Sequence, residues 1–117
     1  MEVSDGRELA MQTITFNDAN DIVIGVTLED VQYKLRLMWN AFAKSWSLQI
    51  WDANRVPILQ NVQLVPNFPV LMTHHRPGIP PGEILAITDA ETLSRDCFVD
   101  GSATLCYVPE AEWYGTV

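Results

Sequence analysis

Side chains alternate between apolar and polar with a period of two through much of the first half of the chain. In DIVIGVTL the alternation places every second residue from Ile22 to Leu28 on one face, which is typical of a β-strand. It resumes after Glu29-Asp30, and the residues that share the second apolar face are Val31, Tyr33, Leu35, Leu37 and Trp39. The two segments therefore predict a β-hairpin, although Glu-Asp lacks the Asn-Gly or Asp-Gly sequence that favours a two-residue turn.

Further short strands are predicted along the chain. The segment WSLQIW alternates as well, and its inward residues are Trp46, Leu48 and Ile50. The DANR segment that follows is a turn by residue type, in which Asp52 can bond its own backbone and Asn54 tolerates a left-handed conformation. The remaining strand segments are QTITF, VPILQNVQLV, EILAIT and SATLCYV. An irregularity is expected at Pro57, because proline cannot donate to the ladder.

The second half of the chain contains a proline-rich segment that cannot be helical. PNFPVLMTHHRPGIPPG holds five prolines and two glycines, and is predicted to form a long ordered loop. DAETLSRDCFVDG is compatible with one helical turn near Glu91 to Arg95 or with a loop. The sequence as a whole predicts an all-β fold, a single small antiparallel β-sandwich or barrel of about seven short strands. Its 117 residues fit one domain, with an N-terminal arm (1–10), a β domain (11–109) and a C-terminal aromatic tail (110–117).

Charge and hydropathy restrict the class of partner. Fifteen Asp and Glu against seven Lys and Arg give a net charge of −8, which argues against stable binding of nucleic acid or of anionic membranes. No apolar run approaches the ~20 residues of a membrane helix, and the polar N-terminal segment is unlike a secretory signal. These features predict a protein made and kept in a cytoplasm. Cys97 and Cys106 agree with a reducing compartment, although their separation would also suit a disulfide between neighbouring strands, so their pairing stays open.

The residue types that carry most enzyme and metal chemistry are poorly arranged for it. His74 and His75 are adjacent, so on an extended chain they point in opposite directions and rarely bind one metal. Cys97 has no local signature of a catalytic nucleophile. The carboxylates lie mainly in turns and near the termini, where capping in solvent explains them better than catalysis. No glycine-rich phosphate loop is present. The sequence therefore predicts no catalytic residues, no metal site and no cofactor.

The aromatic residues divide into a predicted core set and a predicted contact set. Trp39 and Trp46 lie on the inward register of their strands and are predicted to be core. The residues outside that register or beyond the last strand are Trp51, Met38, Phe42, Trp113 and Tyr114. Exposed apolar groups of this size tend to mark contact surfaces, so we predict that these five form an interface. The tail residues either fold back on their own domain or insert into a neighbouring chain, and stacking of a sugar on Trp51 and Trp113 is an alternative use.

A series of motifs between residues 12 and 109 resembles the baseplate plug proteins of contractile-tailed phages, best known from cyanophage-type baseplates. The series begins with Y-x-L-x-L-x-W-N and W-x-L-x-I-x-D, and continues with P-I-L-x-x-V-x-L-V-P-N and L-x-Y-V-P. The principal matching residues are Tyr33, Leu35, Leu37, Trp39, Asn40, Trp46, Leu48, Ile50, Asp52, Leu64, Pro66 and Asn67.

This resemblance implies a structural subunit of the virion and not an enzyme. The chain would sit in the tail baseplate, where it plugs or organises the distal hub and tube channel through protein–protein contacts. Its partners would be other baseplate, hub and tail-tube subunits, in multiple copies per tail, after assembly in the host cytoplasm. The alternative function is that of a small β-sandwich binding module, which takes a carbohydrate or protein ligand on its exposed tryptophans.

Overall fold

The computed structural model describes residues 11–74 and 77–114, and these form two packed antiparallel sheets. The strands are β1 (Gln12–Ile14), β2 (Asp21–Leu28), β3 (Val31–Asn40), β4 (Ser45–Asp52), β5 (Pro57–Gln63), β6 (Glu83–Thr88) and β7 (Ala103–Val108). Two short helices accompany them, α1 (Cys97–Asp100) and α2 (Glu110–Tyr114). The strand orders are β1-β7-β6 and β2-β3-β4-β5, so both sheets are open. The predicted all-β fold of seven strands is confirmed, as a sandwich and not a closed barrel.

The β2–β3 hairpin closes through a two-residue turn despite its unfavourable sequence. Glu29 and Asp30 have φ of 50° and 69°, the left-handed region that a primed hairpin turn requires at both central positions. Leu28 and Val31 pair directly across this turn. The register then runs without a shift as far as Asp21 and Met38. Two acidic residues therefore form a turn whose twist matches that of the two strands. The alternation of apolar and polar side chains in those strands sets the register.

The β4–β5 connection follows its predicted chemistry with one correction. Asp52 Oδ1 accepts hydrogen bonds from the backbone N–H of Asn54 (2.8 Å) and of Val56 (2.9 Å), as its residue type suggested. The left-handed residue is Arg55, with φ of 66°, and not Asn54. With its N–H bonded to Asp52, Asn54 stays in the ordinary region and the chain reverses one residue later. The expected irregularity is present as register shifts between β4 and β5.

One hydrophobic core lies between the two sheets and draws on both. Leu35, Leu37, Trp46, Leu48 and Ile50 come from the four-stranded sheet, and all are fully buried. The three-stranded sheet contributes Ile14, Ile84, Ala86, Leu105 and Tyr107. A second, smaller cluster lies on the opposite face of the three-stranded sheet, where Leu85, Cys106 and Val108 meet Trp113. The molecule thus has one shared core and one satellite cluster under α2.

The proline-rich segment is an ordered loop along the edge of β6, as predicted. Asn67 N–H donates to the carbonyl of Ala86 (2.8 Å), and Val70 N–H donates to that of Ile84 (3.0 Å). Leu71 N–H donates to the carboxylate of Glu83 at 2.9 Å, in a buried position. His75 and Arg76 lie outside the described residues.

Two structures were predicted for the segment between β6 and β7, a helical turn near Glu91 to Arg95 or a loop, and the helical turn at that position is wrong. Residues 91–94 are not helical, and α1 begins at Cys97. Leu93 is buried in the core and Arg95 binds Asp18, so this stretch is held by long-range contacts instead of local ones. The helix ends at Gly101, whose φ of 87° reverses the chain. Neither described helix has the length and apolarity to span a membrane.

The predicted N-terminal arm (1–10) lies outside the described residues.

Candidate interaction surface

The outward residues of the four-stranded sheet form a continuous surface, which we call the outer sheet face. Its members are Val23, Gly25, Lys34, Arg36, Met38, Ser47, Gln49 and Trp51. In one row across the sheet, Gly25 pairs with Lys34, Lys34 with Trp51 and Trp51 with Pro57. Because Gly25 carries no side chain, a groove of about 310 Å³ opens beside this row, lined also by Gln32 and Ala53.

Charged and polar pairs organise the rest of the outer sheet face. Arg36 donates to both carboxylate oxygens of Asp21, from Nε at 2.9 Å and from Nη2 at 2.7 Å. Hydrogen bonding to Arg36 lowers the pKa of Asp21 below its ordinary value. Gln49 Nε2 donates to Asn61 Oδ1 at 3.0 Å. The face therefore presents an ordered polar middle, with Trp51 and Met38 on either side of it.

Phe42 lies at one end of this sheet, in the turn between β3 and β4, and its side chain is 100 % exposed. The turn is fixed in two ways. Asn40 Oδ1 accepts the backbone N–H of Phe42 and that of Ala43, each at 3.0 Å, and Lys44 adopts a left-handed φ of 55°. The hydrogen-bonded turn thus fixes the backbone at Phe42, and the side chain projects into solvent.

Trp46 and Trp39 belong to the aromatic cluster that closes the adjacent end of the core. Trp46 is 1 % exposed, and its Nε1–H donates to the carbonyl of Ser94 at 3.0 Å. Its ring contacts those of Phe16, Phe98 and Trp39 at centroid distances of 5.5 to 5.9 Å. Trp46 thus lies in the hydrophobic core. Trp39 packs against the same core but is only half-buried, because it lies near the end of β3.

Arg95 ties the linker after β1 to the segment before α1. Its guanidinium bonds Asp18 at 2.7 Å, Asp96 at 3.2 Å and the side-chain oxygen of Asn20, and it lies over the ring of Trp46, 5.8 Å from the centroid. Arg95 thus covers the aromatic cluster, and the role of this cluster is structural.

Trp113 lies on the other side of the molecule from Trp51. It is half-buried against the satellite cluster on the outer face of the three-stranded sheet. Helix α2, which carries Trp113, is anchored at its start because Glu110 N–H donates to Glu29 Oε2 at 3.0 Å. The tail therefore folds back on its own domain as far as Trp113. Tyr114 ends the helix, and its side chain lies outside what is described.

A second contact of Glu29 connects this anchor to the core. Tyr107 Oη donates to Glu29 Oε2 at 2.6 Å and accepts the N–H of Gly82 at 2.7 Å. Desolvation, followed by the Glu29 hydrogen bond, raises the pKa of the Tyr107 phenol far above its ordinary value. No sequence pattern predicts this network, because its members are 25 to 81 residues apart.

The polar residues of the family motif are turn and loop anchors. Asn40 and Asp52 accept the turn bonds described above. Asn67 donates from Nδ2 to the Thr88 carbonyl at 2.8 Å and accepts the Thr88 N–H at 3.0 Å. The apolar motif residues Tyr33, Leu35, Leu37, Leu48, Ile50 and Leu64 are buried. The motif therefore specifies the fold instead of a reactive site.

Within residues 11–74 and 77–114, the two cysteines are buried and the potential metal ligands are not clustered. Cys97 and Cys106 are both free and buried, and desolvation raises the pKa of Cys97 to about 11, which disfavours the reactive thiolate. No cluster of three or more His, Cys, Asp or Glu with metal-binding geometry occurs in that part of the chain. Glu83, which sequence reasoning passed over, is a fully buried carboxylate, but it binds the backbone of Leu71.

These features define a class, that of a small two-sheet β domain whose distinctive exposed groups are suited to contact. The family model described as cyanophage baseplate Pam3 plug gp18 matches residues 11–110. The chain belongs to this family of phage baseplate plugs. Membership gives it a structural role in a baseplate of the virion tail, in association with other baseplate components. A comparison with curated proteins found no match.

Proposed function

We propose that this chain plugs or organises the distal channel of the tail, and that it does so through protein–protein contacts made by Phe42 and the outer sheet face. Its neighbours would be hub and tail-tube subunits of a contractile tail, present in multiple copies and assembled in the host cytoplasm. The observation that carries the proposal is the complete exposure of Phe42 on a turn fixed by Asn40.

The exposure of Phe42 supports a contact role on energetic grounds. A fully buried Phe side chain contributes about 1.5–3 kcal/mol relative to an exposed one, and Phe42 has none of this in the isolated chain. A neighbouring subunit with an apolar pocket would recover that free energy. Since the turn already fixes the backbone at Phe42, binding has to order only the side-chain rotamer.

The outer sheet face supports the same role through its composition. Trp51 and Met38 belong to residue types enriched at interface centres, and Arg36 is already oriented by Asp21. Lys34 lies between Gly25 and Trp51, so a partner carboxylate could reach it beside the groove. Trp51 and Trp113 lie on outer faces of different sheets, so they do not form one platform for a sugar.

Net charge supports a position near the channel. A protein with a net charge of −8 repels the phosphate backbone and would not retain DNA as it passes. Within the described residues, Arg36 and Arg95 are engaged by carboxylates, so these two cations are not free to bind phosphate.

The test measures incorporation into tails. In a phage or tail-assembly system that lacks its own copy of this subunit, Phe42→Ala and the double variant Phe42→Ala/Trp51→Ala are supplied, and the subunit is quantified in purified tails. We expect incorporation to fall at least about tenfold in the double variant, corresponding to roughly 1.4 kcal/mol or more. The matched control is Val99→Ala, which removes another exposed apolar side chain (51 % exposed) from helix α1. Wild-type incorporation of the double variant would overturn the proposal.

A further inference from the structure

Among the residues that the structure describes, strand β2 is an edge strand that lacks the features that normally protect an edge. It spans eight residues, and β3 is its only partner among the described strands. Between Ile22 and Leu28 it has no charge and no proline, and its register with β3 has no bulge. Such an edge presents unpaired N–H and C=O groups that another strand can bind.

The other edges of the two sheets are each protected within the described residues. Strand β5 begins at Pro57 and contains register shifts near the left-handed Asn61. Strand β6 is covered by the proline-rich loop, through the backbone bonds of Asn67 and Val70. Strand β1 has only three residues. Because three edges carry a recognised form of protection and β2 does not, its open edge points to a binding function.

The hairpin register identifies which groups of β2 face outward. Residues that flank a two-residue turn form a hydrogen-bonded pair, and such pairs alternate along the strand. The even-numbered residues of β2 therefore bond to β3, and the bond from Trp39 N–H to the carbonyl of Asn20 continues that series. The N–H and C=O groups of Val23, Gly25 and Thr27 are left to face away from the sheet.

We propose that β2 pairs with β2 of a second copy of this chain, antiparallel about a two-fold axis at Ile24. In this register Ile24 faces Ile24, Ile22 faces Val26 and Val23 faces Gly25. All three pairs join residues of the same sheet face, so apolar side chains meet on the inner side. The inner residues Ile22 and Ile24 line an open groove of about 250 Å³ with Phe16, and the second copy would narrow it.

Charge disfavours one of the two neighbouring registers of this β2–β2 pair. An axis at Gly25 would set Asp21 opposite Glu29, which places two carboxylates face to face. The axis at Ile24 sets Asp21 opposite Thr27, and Asp21 is already compensated by Arg36. The two four-stranded sheets would then form one continuous sheet of eight strands, with a self-complementary interface. This edge is distinct from the Phe42 turn, so the inference can fail without the proposed function failing.

A cysteine pair test locates the axis. In the full chain, Ile24→Cys places two thiols at a directly opposed pair whose Cα atoms would be about 4.5 Å apart, within disulfide range. The matched control is Val26→Cys, whose two copies would lie roughly 14 Å apart along the strands. We expect oxidation to convert Ile24→Cys to a disulfide-linked dimer and to leave Val26→Cys monomeric. The native thiols are buried and should not compete. The inference would be overturned if Val26→Cys cross-links and Ile24→Cys does not, or if neither variant cross-links.

Sedimentation of the uncross-linked protein tests the pairing itself. The wild type should have twice the monomer mass at the upper end of a series from about 1 to about 500 µM, the range of weak homodimers. Val23→Pro removes an outward N–H without removing a β3 bond, and should stay monomeric throughout, whereas Val23→Thr should still dimerise. If the wild type is monomeric at every concentration while Val23→Pro, and not Val23→Thr, loses incorporation into tails, the edge binds a different subunit and the second-copy proposal is wrong.

Discussion

Two polar side chains make hydrogen bonds that fix an exposed turn and join distant segments of the domain. Asn40 uses one oxygen to fix the turn that presents Phe42, and Tyr107 uses one hydroxyl to join Glu29 to Gly82. Both are members of the motif series that first indicated the family. A few residues of this motif series therefore make specific hydrogen bonds, although the series as a whole reads as an ordinary alternating pattern. A substitution at such a position acts through the one bond or the one close approach that it changes.

At the residue scale, Gly82→Ala is expected to be strongly destabilising. An added Cβ would overlap the carbonyl oxygen of Val108 and lie 2.8 Å from Cζ and Oη of the Tyr107 ring. Since the first contact is with backbone of β7, the loop must shift and its bond to Tyr107 must lengthen. We expect a loss of roughly 2–3 kcal/mol in the free energy of unfolding, measured by chemical denaturation.

The matched control for this prediction is Gly25→Ala. A Cβ at Gly25 meets nothing within 4 Å, and its φ is not in the left-handed region, so the variant should unfold within about 0.5 kcal/mol of the wild type or be more stable. Equal stability of Gly82→Ala and Gly25→Ala would contradict the described packing of Tyr107.

At the scale of elements, helix α2 depends on contacts from elsewhere in the chain. It has five residues, too few for an isolated helix to be stable in water. It is held at its start by Glu29, from the β2–β3 turn, and by the packing of Trp113 on Leu85, Cys106 and Val108. The turn of one sheet thus positions the segment that covers the other sheet. Removing Glu29 should therefore loosen α2 before it affects the strands.

The corresponding prediction concerns Glu29→Ala. Loss of the carboxylate removes an acceptor from both Tyr107 Oη and Glu110 N–H, and should cost about 1–2 kcal/mol of stability. Amide hydrogen exchange in residues 110–113 should become faster than in β7. The control is Asp30→Ala, which changes the adjacent turn residue with the same left-handed conformation. Equal exchange of α2 in both variants would mean that the Glu29 anchor is unimportant.

Local elements were predictable from the sequence, and long-range attachments were not. Strands β2 and β6 have the bounds of DIVIGVTL and EILAIT, because the period of two in the first and the short apolar run in the second are local properties. The left-handed residue of this turn is Arg55 because of the hydrogen bonds that Asp52 accepts. Residue type alone does not predict which turn residue adopts this conformation. The contact between Glu29 and Glu110 joins residues 81 positions apart, and no pattern indicates it. Likewise, the outward register suggested Trp51, but only the sheet order shows that Trp113 lies on another face.

At the scale of the whole molecule, the ionisable groups buried in the shared core and in the satellite cluster make stability depend on pH in the alkaline range. Burial raises the pKa values of the Cys97 and Cys106 thiols, and desolvation together with Glu29 raises that of the Tyr107 phenol. These acids are neutral in both the folded and unfolded states below about pH 8.5, where the free energy of unfolding is unaffected by them. Above the unfolded pKa, the unfolded state releases protons that the folded state retains.

The free energy of unfolding should therefore fall as pH is raised from about 8.5 toward the Cys97 value of about 11. Each group contributes a slope of at most roughly 1.4 kcal/mol per pH unit, in the direction of lower stability. Urea unfolding at a series of pH values measures this slope. Cys97→Ala is the informative control, because it removes one titrating group from the core and leaves Tyr107 in place, so its slope should be shallower than that of the wild type. An unchanged slope in Cys97→Ala, or no fall in stability between about pH 8.5 and pH 10.5, would mean that these buried groups ionise as readily in the folded chain as in the unfolded one.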